Sequence, residues 1–170
     1  MKMNIRSITT GAVVAALYVV LSAVFAPISF GQGSLFGLPG VQFRVAEILT
    51  VLPALTSSAV PGLAIGCLLS NLLIGNLGPI DIVLGTSATL IAAIGARALR
   101  KHPSLVPLAP IIVNALIVGS YLPFLLDIDM AIPLSIAVVA TGETVVVYLL
   151  GLPMLYTLRR ISQKTDLFGE

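Results

Sequence analysis

The chain has 170 residues, of which 58% are hydrophobic and only 9% charged, with a net charge of +2. A soluble domain has about a quarter of its residues charged, so this composition excludes an ordinary soluble protein and indicates an integral membrane protein. The few basic residues fall in short clusters between apolar runs, which gives little reason to expect a nucleic-acid partner.

Six apolar segments are candidate membrane spans. In chain order they are residues 8–27, 45–57, 59–74, 79–96, 105–126 and 131–156. The stretch from Val45 to Ile74 could form one long helix or two short ones, but Pro53 and Pro61 disfavour a single unbroken helix. Six spans also place eight of the nine lysines and arginines on one side, as expected of the cytoplasmic side. The sequence therefore predicts one all-α, six-helix transmembrane domain with cytoplasmic termini and a tail over residues 157–170.

The outer side then holds three connections, and the first of them is long and rich in glycine. It reads "ISFGQGSLFGLPGVQF" from Ile28. Such a segment suits a lid over a binding site, and an exposed linker is an equally good interpretation. No internal repeat is present, so an inverted-repeat transporter fold is not indicated.

Catalytic and metal-binding patterns are absent from the sequence. His102 lies in the basic cluster "RALRKH" without a partner for a serine triad or a metal site, and Cys67 is a lone cysteine. No G-x-x-x-x-G-K-[ST] phosphate loop occurs, so ATP binding by that route is excluded. We expect no enzyme activity, no cofactor and no metal, and any uphill transport requires another source of energy.

Glu143 and Asn114 are predicted to lie deepest in the membrane. Each is about 12 residues from the outer end of its span, or roughly 18 Å along a helix. On antiparallel neighbouring helices the two side chains could therefore share one cavity. The alternatives are a protonated Glu143 carboxyl bonded within the bundle and an interhelical hydrogen bond from Asn114.

Other polar residues gather near the outer ends of the middle spans. Asn71 and Asn76 flank the end of the third span, and Asp81, Gly85 and Thr89 fall at i, i+4 and i+8 on one face of the fourth. Tyr121 follows Asn114 by seven residues, so its ring is predicted on the same face, as a stacking partner for a planar ligand or as an interfacial tyrosine.

In "VQFRVAEILTVLP" an arginine and a glutamate stand three residues apart at the head of an apolar run. Arg44 and Glu47 can pair across one helical turn, with Gln42 beside them. Their predicted role is to shape the entrance of a pocket next to the glycine-rich connection. The alternative is an ion pair at the outer surface that only ends the span.

The first span contains two pairs of small residues at a spacing of four. These are Gly11 with Ala15 and Ala12 with Ala16. Small residues at this spacing permit close helix approach, either within the bundle or to another subunit. The sequence leaves both possibilities open.

Two segments carry a family resemblance. "VQFRVAEILTVLPALTSSAVPGLAIGCLLSNLLIGNLGPIDIVLGTSATLIAA" and "AVVATGETVVVYLLGLPML" closely resemble the queuosine-precursor transporter (QueT) family, whose members are substrate-binding S components of energy-coupling factor (ECF) transporters. The resemblance covers about residues 8–158. It implies a six-helix S component of a bacterial plasma membrane, a transmembrane coupling subunit with two ATPases as partners, and Ala12 and Ala16 as the contact with the coupling subunit.

The resemblance further implies a 7-deazaguanine substrate, such as the cyano or aminomethyl precursor of queuosine. A guanine-like edge presents neighbouring N–H donors, which an ionised carboxylate accepts in bidentate fashion. The alternatives are another vitamin-like ligand and a self-sufficient small transporter. The predicted substrate-binding residues are Glu143, Asn114, Asp81, Asn71, Asn76, Tyr121, Arg44, Glu47 and Gln42.

Overall fold

The computed structural model describes residues 5–29, 43–75 and 77–165. All regular structure in these residues is helical, with no strand among them. The elements are α1 (Ile5–Val24), α2 (Ala26–Ser29), a 3₁₀ helix (Val45–Ala54), α3 (Ala59–Ser70) with a π-helical turn (Asn71–Gly75), α4 (Pro79–Ala98), a 3₁₀ turn (Pro103–Leu105), α5 (Leu108–Leu126), α6 (Ile132–Val146) with a π-helical segment (Val147–Gly151), and α7 (Leu152–Thr165).

Four helical segments are long and apolar enough to cross a membrane. They are Ile5–Val24, Pro79–Ala98, Pro103–Leu126 and Ile132–Thr165, and two shorter apolar helices cover Val45–Ala54 and Ala59–Gly75. The prediction of an all-helical protein with membrane-spanning helices is confirmed at this level. The count of six spans and the cytoplasmic position of both termini stay predictions.

Five α-helices pack side by side in the order α1, α3, α4, α5 and α6. The 3₁₀ helix lies among them and contacts α1, α3, α4, α6 and α7. It ends at Ala54, and α3 begins at Ala59, so the stretch that could have been one long helix forms two. The side chains of the short 3₁₀ helix are therefore in a position to contact several helices of the bundle.

Glycines allow α1 and α3 to approach closely. A Cβ atom at Gly66 would lie 2.7 Å from Tyr18 Cβ, and one at Gly62 would lie 2.5 Å from the carbonyl oxygen of Gly11. Ala15 is buried in the same contact, whereas Ala12 and Ala16 are exposed. The two small-residue pairs of the first span thus differ in exposure: Ala15 is packed against α3, whereas Ala12 and Ala16 lie at the surface.

Helix α4 begins at a turn that requires glycine. Gly78 has a φ of 87°, a region that residues with a side chain rarely adopt, and Pro79 follows at the first helical turn. Asp81 therefore falls in the first turn of α4, where the amino end of a helix favours a negative charge.

Candidate functional site

The predicted binding residues that the structure describes are all buried. They are Arg44, Glu47, Asn71, Asp81, Asn114, Tyr121 and Glu143, and none of them is more than 8% exposed. Gln42, Asn76 and most of the glycine-rich connection lie outside the described residues. Buried polar groups in a membrane bundle usually have hydrogen-bond partners or face a functional cavity.

Glu47 is held by hydroxyl groups from two neighbouring helices. Its Oε1 atom accepts a hydrogen bond of 2.5 Å from the Tyr18 hydroxyl of α1 and one of 3.2 Å from Thr89 Oγ1 of α4. Glu47 is completely buried, at 0% exposure. The central 3₁₀ helix is thereby joined through one carboxylate to both α1 and α4.

Arg44 takes part in a second set of hydrogen bonds, which includes Asn71, Asp81 and Tyr121. Its Nη2 donates to Asn71 Oδ1 at 3.3 Å, and Asn71 Nδ2 donates to the backbone oxygen of Asp81 at 3.1 Å. The hydroxyl of Tyr121 donates to Asp81 Oδ1 at 2.7 Å. Residues from the 3₁₀ helix, the α3 π-helical turn, α4 and α5 are thus connected in one network.

Asn114 and Glu143 meet between α5 and α6. Asn114 Nδ2 donates to Glu143 Oε1 at 3.0 Å, which is the interhelical contact that their similar depth in the sequence suggested. Helix α6 also contacts the 3₁₀ helix that carries Glu47. The three groups of contacts therefore lie on neighbouring elements and together make one candidate polar site.

The face of α4 that carries Asp81, Gly85 and Thr89 is turned toward this site, and all three residues are buried. A Cβ atom at Gly85 would lie 2.9 Å from Asn71 Nδ2, 3.1 Å from Asp81 Oδ1 and 3.3 Å from the Tyr121 hydroxyl. The prediction that these positions share one helical face is confirmed. Because Gly85 has no side chain, the side chains of Asn71, Asp81 and Tyr121 can occupy the space next to it.

Four oxygen atoms in the site are buried without a hydrogen-bond partner among the described residues. They are Glu47 Oε2, Asp81 Oδ2, Asn114 Oδ1 and Glu143 Oε2. When the three carboxyls are ionised, all four atoms are acceptors. Leaving such groups unpaired in the interior is costly, so the arrangement suits a ligand that supplies several donors.

The surface alternative for Arg44 and Glu47 is wrong, because both side chains are buried. They also hydrogen-bond different neighbours, Asn71 for the arginine and Tyr18 with Thr89 for the glutamate. Both side chains therefore lie in the interior of the bundle.

Two participants were not recognised in the sequence. Tyr18 lies seven residues after Gly11 and three after Ala15, on the α1 face that packs against α3, and this spacing was the available signal. Cys67 was noted in the sequence only as a lone cysteine, yet its sulfur lies 3.2 Å from Thr89 Oγ1 and 3.8 Å from Arg44 Nη2. No group of potential metal ligands occurs in the described parts of the chain.

Comparison with known protein families shows which family the chain belongs to. The model of the family described as QueT transporter matches residues 8–160. The chain belongs to the QueT transporter family. No curated protein and no solved structure matches it. Membership of the QueT family indicates a membrane transport protein, in agreement with its apolar helices.

Proposed function

We propose that this QueT-family protein is the substrate-binding S component of an ECF-type transporter and binds a 7-deazaguanine precursor of queuosine. The observation that carries the proposal is the set of four unpartnered acceptor oxygens on Glu47, Asp81, Asn114 and Glu143. A 7-deazaguanine carries adjacent ring and exocyclic N–H donors on one edge and a pyrrole N–H on the other. Its donors therefore match the groups that the protein leaves unpaired.

Glu143 is the proposed partner of the guanine-like edge. Its Oε1 atom is held by Asn114, which leaves Oε2 for the ligand, and Asn114 Oδ1 offers a second acceptor beside it. Charge-assisted hydrogen bonds of this kind are stronger than neutral ones. They also discriminate against analogues that lack the donors, because the buried acceptors would then stay unpaired.

Asp81 and Glu47 are proposed to receive the opposite side of the ligand. Each has one carboxylate oxygen fixed by a tyrosine hydroxyl, from Tyr121 and Tyr18 respectively, and one oxygen without a partner. An aminomethyl cation on the ligand would be attracted to either carboxylate. Arg44 and Asn71 position Asp81 in this arrangement, and Gln42, Asn76 and the Tyr121 ring complete the proposed set.

Ala12 and Ala16 are proposed as the contact with the coupling subunit. Both are exposed and line an apolar groove of about 450 Å³ between α1 and α3. Small residues let a partner helix approach the α1 backbone closely. The proposed assembly comprises this chain, one transmembrane coupling subunit and two ATPases in a bacterial plasma membrane, with six spans and the ligand entering from outside.

The proposal is tested by ligand binding to the purified chain in detergent. We expect tight binding of 7-cyano- or 7-aminomethyl-7-deazaguanine and none of thiamine, riboflavin or biotin. Tight binding of another vitamin without any deazaguanine binding would overturn the substrate. Uptake by proteoliposomes that contain this chain alone would overturn the requirement for an ATPase module.

A further inference from the structure

A second polar cleft lies at the opposite end of the 3₁₀ helix from Arg44. Its volume is about 440 Å³, and its polar lining comes from Arg100, Lys101, Arg159, Ser162 and Gln163. The floor is apolar and formed by the last residue of the 3₁₀ helix and the residue after it. Three separate chain segments therefore meet here and bring three cationic side chains to one opening.

The charge of this cleft is uncompensated within residues 5–29, 43–75 and 77–165, because no carboxylate from these ranges lines it. Arg100 Nη1 donates to the carbonyl oxygen of Arg97 at 3.3 Å. Lys101 is exposed and Arg159 half-buried. Guanidinium and ammonium groups that converge in this way are the usual ligands of phosphate oxygens.

The depth of the cleft corresponds to the headgroup region of a bilayer. Arg100 and Lys101 directly follow α4, whose segment Pro79–Ala98 is long enough to cross the membrane. The segment Ile132–Thr165 begins a second crossing, and its Arg159 is about 40 Å along a helical path from Ile132, compared with a hydrocarbon core of about 30 Å. This length places the cationic groups just beyond the hydrocarbon, and the half-exposed Tyr156 precedes Arg159 by three residues on the same helix.

We propose that this cleft binds the phosphodiester headgroup of an anionic phospholipid. Basic pockets at membrane depth are known to select anionic headgroups, because the surface of such membranes concentrates them there. Arg100, Lys101 and Arg159 bind the phosphate oxygens, Ser162 and Gln163 bind the polar part of the headgroup, and the apolar floor receives the glycerol end. This inference does not depend on the identity of the transported ligand.

The test is native mass spectrometry of the full chain, released from nanodiscs of phosphatidylcholine containing phosphatidylglycerol. The cleft variant is K101Q/R159Q. The matched control is R160Q/K164Q, which also removes two positive charges, both from α7, without touching the cleft lining. We expect one retained phosphatidylglycerol on the wild type and the control. Retention should fall about tenfold or more in the cleft variant.

Equal retention by the two variants would overturn the proposal, since it would reflect general surface charge. Displacement of the lipid by millimolar inorganic phosphate at equal occupancy would overturn it in favour of a free-phosphate site. Retention of phosphatidylcholine as strong as that of phosphatidylglycerol would also overturn it. Absence of retained lipid from the isolated chain, together with binding of an acidic subunit that K101Q/R159Q abolishes, would overturn it in favour of a protein partner.

Discussion

The hydroxyl of Tyr18 and the Oε1 atom of Glu47 are 2.5 Å apart, so α1 holds a carboxylate of the polar site directly. Replacement of Tyr18 by Phe removes the donor and leaves Thr89 as the one side-chain donor to that oxygen among the described residues. We expect a loss of about 1–3 kcal/mol of stability, because a buried carboxylate oxygen then loses the shorter of its two hydrogen bonds. Thermal unfolding of the purified protein in detergent measures it.

Tyr148→Phe is the matched control for this change. The Tyr148 hydroxyl donates to the backbone oxygen of Ser104 at 3.3 Å near the basic end of the bundle, and the side chain is half-buried. Its loss should lower the unfolding temperature much less. Equal effects of the two substitutions would show that Tyr18 contributes only ordinary packing.

Glu143→Gln should weaken deazaguanine binding by about 1.5–3 kcal/mol, which is roughly a 10- to 150-fold rise in Kd. The substitution keeps the volume but offers an NH₂ group or a neutral oxygen where the carboxylate accepts. Isothermal titration calorimetry measures the change. Asp129→Asn, at an exposed position between α5 and α6, should leave Kd unaltered, and an unaltered Kd in the Glu143 variant would remove that residue from the site.

Gly85→Ala tests whether the network around α4 is part of the binding site. The added Cβ would approach Asn71 Nδ2, Asp81 Oδ1 and the Tyr121 hydroxyl within 2.9 to 3.3 Å, so these groups must move. We expect weaker ligand binding, again by calorimetry. Gly95→Ala on the same helix places its Cβ 3.0 Å from Ala109 Cβ, away from the polar groups, and should change stability without changing Kd.

Substitutions on the two faces of α1 should have opposite consequences. Ala15→Leu inserts a larger side chain against Gly66 and should lower the stability of the bundle by about 1–3 kcal/mol. Ala12→Leu or Ala16→Leu alters an exposed groove and should leave folding and ligand affinity intact while preventing co-purification with the coupling subunit. Normal co-purification of the Ala12 and Ala16 variants would place the subunit contact elsewhere.

The sequence predicted the parts of the site that depend on depth and helical periodicity. Asn114 and Glu143 lie at similar distances from their outer span ends, and they do meet. Asp81, Gly85 and Thr89 follow the helical repeat, and they do share a buried face. Each feature depends on a single helix or on one antiparallel helix pair. Within such a unit, residue spacing in the sequence is enough to predict which side chains lie close together.

Features set by the packing of several helices escaped prediction. Arg44 and Glu47 were expected at the pocket entrance because charged residues at a span end usually reach water or headgroups. They are buried instead because their segment is a short 3₁₀ helix surrounded by α1, α3 and α4. The role of Tyr18 escaped for the same reason, since only the glycine contacts of α3 bring α1 close enough to Glu47.

The 3₁₀ helix has a mechanical consequence of its own. With a rise of about 2 Å per residue, ten residues of this geometry extend about 20 Å, compared with about 15 Å in an α-helix. The helix begins directly after Arg44. Near its other end, the backbone oxygen of Pro53 accepts a hydrogen bond from the Arg97 side chain, three residues before Arg100 of the basic cleft. The segment connects two distant regions of the protein, so we expect an axial displacement of it to alter both of them at once.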